Sequence, residues 1–150
     1  MPLLPVLHQK QRQSSDCLAA CAAMVLAYLQ VPIEYKRLLR LLRTETHGSV
    51  FNNLWYLESM GLSILTEDGS TEKLHAYLEG GLPIIAFVDT GQLTSYWPEA
   101  TNHAVVVVGI TNDTIYLNDP EFDTAPQTVS LAEFELAWLE KGYRYAVIRK

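Results

Sequence analysis

Two hydrophobic periodicities divide the chain, a helical one in the first half and an alternating or β-branched one in the second. Residues 17–29 are apolar nearly all round and rich in Ala, Leu and Met. An unbroken run of good helix formers predicts a central, buried helix, and Asp16 stands at its N-cap position. Residues 34–42 predict a second helix with Leu38, Leu39 and Leu42 inward. Its basic residues Lys36 and Arg40, with Arg37 and Arg43, form the solvated face. Residues 44–49 read as a polar loop containing Gly48. Residues 50–60 read as a helix that Gly61 stops. A short strand over 62–65 precedes a helix over 70–78, capped by Ser70 and ended by Gly80-Gly81.

Beyond Gly81 the pattern changes. Residues 83–88 are an apolar strand, 89–102 a polar and aromatic loop, and 103–110 a strand dense in valine. The turn at Asn112-Asp113 joins this strand to another over 114–118, which makes a hairpin. A helix over 131–139, capped by Ser130, and a closing strand over 143–148 complete the chain. Residues 4–7, with Pro2 just before them and Pro5 among them, read as a short extended segment. Helices first and antiparallel strands second predict an α+β fold. No repeat, low-complexity stretch or linker interrupts it, so residues 1–150 are expected to form a single domain.

Composition narrows the function. The chain carries 17 acidic and 11 basic residues, for a net charge of −6. It shows no basic patch, which disfavours nucleic-acid binding. No apolar run reaches the roughly 18 residues of a membrane span, and the start lacks the apolar core of a secretory signal. A cytoplasmic location is expected. The two cysteines, Cys17 and Cys21, are one helical turn apart, about 5–6 Å between Cβ atoms. A disulfide needs about 3.8 Å, so free thiols are expected. No ligand spacing suggests a metal site, and no cofactor is expected.

Candidate chemistry gathers around Cys17. A thiol in the first turn of a helix faces partial positive charge and open N–H groups that suit an oxyanion. Free cysteine also serves as a small apolar filler, the reading that suits Cys21. A nucleophilic thiol needs a base, and the base needs an orienting group. His103 opens the valine-rich strand and Asp119 ends the next one, so the hairpin sets them side by side. One of Gln9, Gln11 and Gln13, all on the approach to the helix, could add a side-chain oxyanion donor, and spacing does not choose among them. Tyr96, Trp97 and Asn102, in the loop before His103, are candidate substrate contacts. Trp55, Tyr56 and Trp138 fall at core spacing.

Gln11-x4-Asp16-Cys17-x3-Cys21 with Met24, Val25, Leu26 and Tyr28, then His103-Ala-Val-Val-Val-Val-Gly109, Asn118-Asp119-Pro120 and Ser130-Leu131-x2-Phe134-x3-Trp138 run nearly the length of the chain. In that order they resemble the papain-like cysteine peptidases that process double-glycine leader peptides of bacteriocins, family thirty-nine of the cysteine peptidases. The resemblance implies a papain-like fold with Cys17 on a helical part and His103 and Asp119 on an antiparallel sheet. It implies Cys17 as nucleophile, His103 as base and then acid, Asp119 as orienter, and Gln11 as the oxyanion donor. It implies a peptide or protein substrate and a separate transporter as a candidate partner. The family usually has Gly after the cysteine. Here it is Leu18, a candidate substrate-binding position that keeps two alternatives in view: a papain-like thiol acyltransferase or amidase, and a module that binds a leader without cutting it.

Overall fold

The computed structural model describes residues 3–150. Residues 1 and 2, part of the start read above for a signal segment, lie outside the described residues. Six strands form one antiparallel sheet in the order β1-β6-β2-β3-β4-β5. They are β1 (Ser63–Asp68), β2 (Ile84–Asp89), β3 (Asn102–Ile110), β4 (Thr114–Asn118), β5 (Gln127–Ser130) and β6 (Arg144–Arg149). The helices are α1 (Cys17–Tyr28), α2 (Tyr35–Leu41), α3 (Thr71–Glu79) and α4 (Leu131–Leu139).

The sheet separates two cores. Ala104, Val106 and Val108 of β3 point to a cluster with Cys21, Met24 and Val25 of α1 and Leu38 of α2. Val105 and Val107 point the other way, to Leu74 of α3 and to Phe134 and Trp138 of α4. This is why β3 reads as a continuous apolar run: both of its faces are covered. Leu4 donates its N–H to Val108 at 2.9 Å, so the extended start of the chain lies on β3. A Cβ at Gly109 would collide with the Leu3 side chain. Glycine there permits the close approach, and β3 bulges between Val107 and Gly109.

Most expected elements stand within a residue or two of their expected limits. Three expectations are corrected. Residues Phe51–Met60 form a 3-10 helix rather than an α-helix. Its buried residues Phe51, Leu54 and Leu57 recur every third position, which matches three residues per turn. β5 was not expected. It is four residues long, polar at Gln127 and Thr128, and is ordered by pairing with β4. Asp16 occupies the N-cap position of α1, but its side chain makes no capping bond. Its backbone, at φ −96° and ψ 9°, is outside the extended region that capping uses. The carboxylate instead accepts the Tyr35 hydroxyl at 3.2 Å. Ser70 and Ser130 do cap, accepting the N–H of Lys73 and Glu133.

Candidate active site

The helix and the sheet meet at Cys17. The thiol lies at the first residue of α1, partly exposed, while Cys21 one turn on is fully buried; both are free. Burial, with the nearby Cys17 and Asp119, raises the Cys21 thiol well above its ordinary range. Cys21 is therefore a neutral apolar filler, packed with Met24 and Val25.

His103 is the second residue of β3, and Asp119 directly follows β4. The register pairs Val106 with Asn118. Asp119 thus sits diagonally across from His103 with its side chain on the same face. His103 Nε2 lies 2.7 Å from Asp119 Oδ1, and the two residues are 3% and 0% exposed. Burial lowers the imidazole's proton affinity. Hydrogen bonds to Asp119 and Cys17, with their charges, outweigh it and raise the pKa from 6.5 to about 9. Burial would raise the Asp119 carboxyl, but the His103 bond and charge, the Trp97 bond and the Glu121 N–H hold it below its ordinary value.

The carboxylate is saturated with donors. Oδ1 also accepts the Glu121 N–H at 3.0 Å, and Oδ2 accepts Tyr96 Oη–H at 2.8 Å and Trp97 Nε1–H at 2.9 Å. The Trp97 ring meets the His103 ring edge-on at 4.8 Å between centroids. Phe122 packs against both Tyr96 and Trp97 at 5.3 Å, and its carbonyl is held by His8 Nε2 at 2.6 Å. Neither Phe122, Glu121 nor His8 was singled out as a site residue. Only the position of Glu121 and Phe122 just past Asn118-Asp119-Pro120 hinted at them.

Gln11 is 8% exposed and anchored through its N–H to the Pro120 carbonyl at 2.7 Å. Its Nε2 donates to the Ser14 carbonyl at 3.3 Å, and Oε1 is buried without a partner. Two clefts of about 540 and 310 Å³ share Ser14, Cys17, Thr101 and Asn102, so Cys17 sits where they join. The larger is also lined by Phe51, Phe87, Lys141 and Arg144, the smaller by Gln11, Trp97 and His103.

Gln11, Trp97 and Asn102 therefore line the cleft, Asn102 from an exposed position. Tyr96 lines neither cleft; its hydroxyl is committed to Asp119 from behind. Leu18 is 2% exposed and packs into the core on the α1 side of the sheet, because a helix turns its second residue about 100° from its first. It offers no surface to a ligand in either cleft.

This architecture has solved counterparts. The chain superposes on a C39-like peptidase from Bacillus anthracis with a TM-score of 0.81 at 17% identity, covering 99% of this chain and 96% of that one. It matches a double glycine motif protease of an AMS/PCAT transporter, solved with the leader peptide, with a TM-score of 0.75 at 22% identity over 98% and 93%. It matches the peptidase domain of Streptococcus ComA, a bifunctional ABC transporter of a quorum-sensing pathway, with a TM-score of 0.77 at 18% identity over 96% and 98%. The fold is that of a cysteine-type peptidase domain. The sequence model of the peptidase C39 family matches residues 6–143, and the chain belongs to that family. Comparison with curated proteins gives no match. No helix among the described residues is long and apolar enough to cross a membrane.

Proposed function

We propose that residues 1–150 form one peptidase domain that cleaves a peptide bond through Cys17, His103 and Asp119, with Gln11 completing the oxyanion hole. One observation carries this reading: a partly exposed thiol at a helix start, where two clefts join beside a buried, hydrogen-bonded His103–Asp119 pair. Nε2 of His103 is committed to Asp119, which leaves Nδ1 for the sulfur. With its pKa near 9, the imidazole carries a proton at neutral pH.

The thiolate of Cys17 attacks the scissile carbonyl carbon, and the C=O electron pair moves onto oxygen. The oxyanion is held by the Cys17 N–H and Gln11 Nε2. The uncapped start of α1 keeps its first N–H groups free of the Asp16 carboxylate. At 3.3 Å, the Gln11–Ser14 bond is long enough to be exchanged readily for a charged acceptor. His103 then protonates the leaving amine, the C–N bond breaks and a thioester remains. Water, losing its proton to His103, attacks the thioester, releases the acid product and restores the thiol. Asp119 keeps the ring oriented and its charge compensated.

We further infer that the substrate is a leader or tail peptide of the double-glycine type, cut in a reducing, cytoplasmic setting in partnership with a transporter. The leader peptide named for one solved relative and the transporters named for two support this, as do two free cysteines. The test is mass spectrometry of peptides carrying Gly-Gly, incubated with the protein and with Cys17→Ala. Cleavage by the first alone is expected. Cleavage by both would contradict the assignment, and acyl transfer to an added amine with no hydrolysis would favour an acyltransferase.

A further inference from the structure

The two arms of the cleft carry opposite charge. The larger arm is lined by His47, Lys141 and Arg144 and by no carboxylate. The smaller is lined by Glu99, Glu121 and His103. Two fixed positive charges, Lys141 and Arg144, lining one arm stand out in a chain with 17 acidic residues and 11 lysines and arginines.

The basic residues of that arm differ in how firmly they are engaged. His47 pairs with Glu45 at 3.4 Å, both well exposed. Arg144 is pinned, with Nε and Nη2 donating to Asn52 Oδ1 at 3.1 and 2.9 Å and Nη1 lying 3.3 Å from the exposed Asp68. Lys141 is half-buried in the turn after α4, where its N–H donates to the Trp138 carbonyl. Its ammonium lies 5.4 Å from the centroid of the Phe87 ring, and that ring stacks on Phe51 at 5.2 Å. Among the described residues Lys141 has no carboxylate partner. An ammonium held over an aromatic floor, half out of water, is a ready acceptor for a substrate carboxylate.

The chemistry orients the substrate. The leaving amine must reach His103, and His103 lines only the acidic arm. The segment after the cut therefore runs along Trp97, Glu99 and Glu121. The acyl segment, before the cut, runs along Phe87, Lys141 and Arg144. We propose that Lys141, backed by Arg144, is a specificity-determining residue that selects peptides with an acidic side chain in the first few residues before the cut. The acidic arm disfavours the same charge after it. This rests on the peptidase reading above.

The probes are quenched-fluorescent peptides with one Gly-Gly cut site, identical except for Glu, Gln or Lys placed a few residues upstream or downstream. In the unaltered protein, upstream Glu should raise kcat/KM over Gln roughly five- to tenfold, mostly through KM. Downstream Glu should lower it. Lys141→Glu should invert the upstream preference, and the milder Lys141→Gln should bring it close to one. Added salt should compress the ratio. The same peptides, dye-labelled, are titrated by fluorescence anisotropy onto the Cys17→Ala protein with and without the Lys141 changes. An upstream Glu/Gln ratio within about twofold of one, or one that Lys141→Glu leaves unchanged, would overturn the proposal. Cleavage without charge preference would remove the basic arm and keep the peptidase. Charge-selective binding with no cleavage of any peptide would keep the basic arm and remove the peptidase.

Discussion

The sheet side and the helix side of the site are built to different standards. Asp119 is fully buried and accepts four hydrogen bonds, and His103 is wedged between it and the Trp97 ring. Across the cleft, Asp16 does not cap α1, Gln11 Oε1 is unpartnered, and Gln11 Nε2 makes one long bond. A base that must hold one orientation through two proton transfers benefits from a rigid setting. An oxyanion hole must keep donors uncommitted until charge develops. On the proposed reading, the contrast separates a site part finished by folding from one that the substrate finishes.

Mutations should divide along the same line. Cys17→Ala should abolish cleavage, a loss of at least ~10³-fold, while the melting temperature stays close to that of the parent. Asp119→Ala should hurt both functions of the sheet side. Activity should fall about 10⁴-fold, and urea denaturation should show a loss of about 3–5 kcal/mol, because His103 and the other donors are left buried without their acceptor. Gln11→Ala should cost roughly 100–1000-fold in kcat with little change in stability. Full activity in that variant would mean that another group fills the oxyanion position. Trp97→Phe, which keeps a ring on His103 but removes one donor to Asp119, should cost least, about 1 kcal/mol of stability and a few-fold in kcat.

The His–Asp pair also predicts a pH dependence with a definite sign. The folded pKa of His103, near 9, is above its ordinary 6.5. Its stabilisation is therefore complete below about 6.5 and is lost as pH rises through about 9. Over the same window kcat/KM should fall, because the imidazolium that protonates the leaving amine disappears. Asp119→Asn removes the charge that holds the proton, so thermal melts should lose this alkaline slope. A parent protein whose stability is flat from pH 6.5 to 9 would contradict the assigned ion pair.

How much of this was legible in the sequence follows from what each feature depends on. Cys17, His103 and Asp119 could be named because a helix start, a strand start and a strand end are marked by local pattern, and the hairpin fixes the last two in register. Choosing Gln11 over Gln9 and Gln13 needed the family resemblance. What brings Gln11 to the cleft is its N–H bond to Pro120, a contact across 109 positions that spacing does not encode. Tyr96 and Trp97, expected as substrate contacts, turn their polar tips to Asp119, and of the two only Trp97 lines the cleft. A loop's direction depends on tertiary packing, here on Phe122. Leu18 illustrates the limit of a motif comparison, which flags a residue next to Cys17 without saying that the helix turns it inward.

The most direct test of the central claim is alkylation of the native protein by iodoacetamide at neutral pH, with labelling of Cys17 and Cys21 resolved by mass spectrometry. The account predicts rapid modification of Cys17, none of Cys21 on that timescale, and a marked slowing at Cys17 in His103→Ala. Slow modification of both cysteines, or a Cys17 rate indifferent to His103, would contradict it.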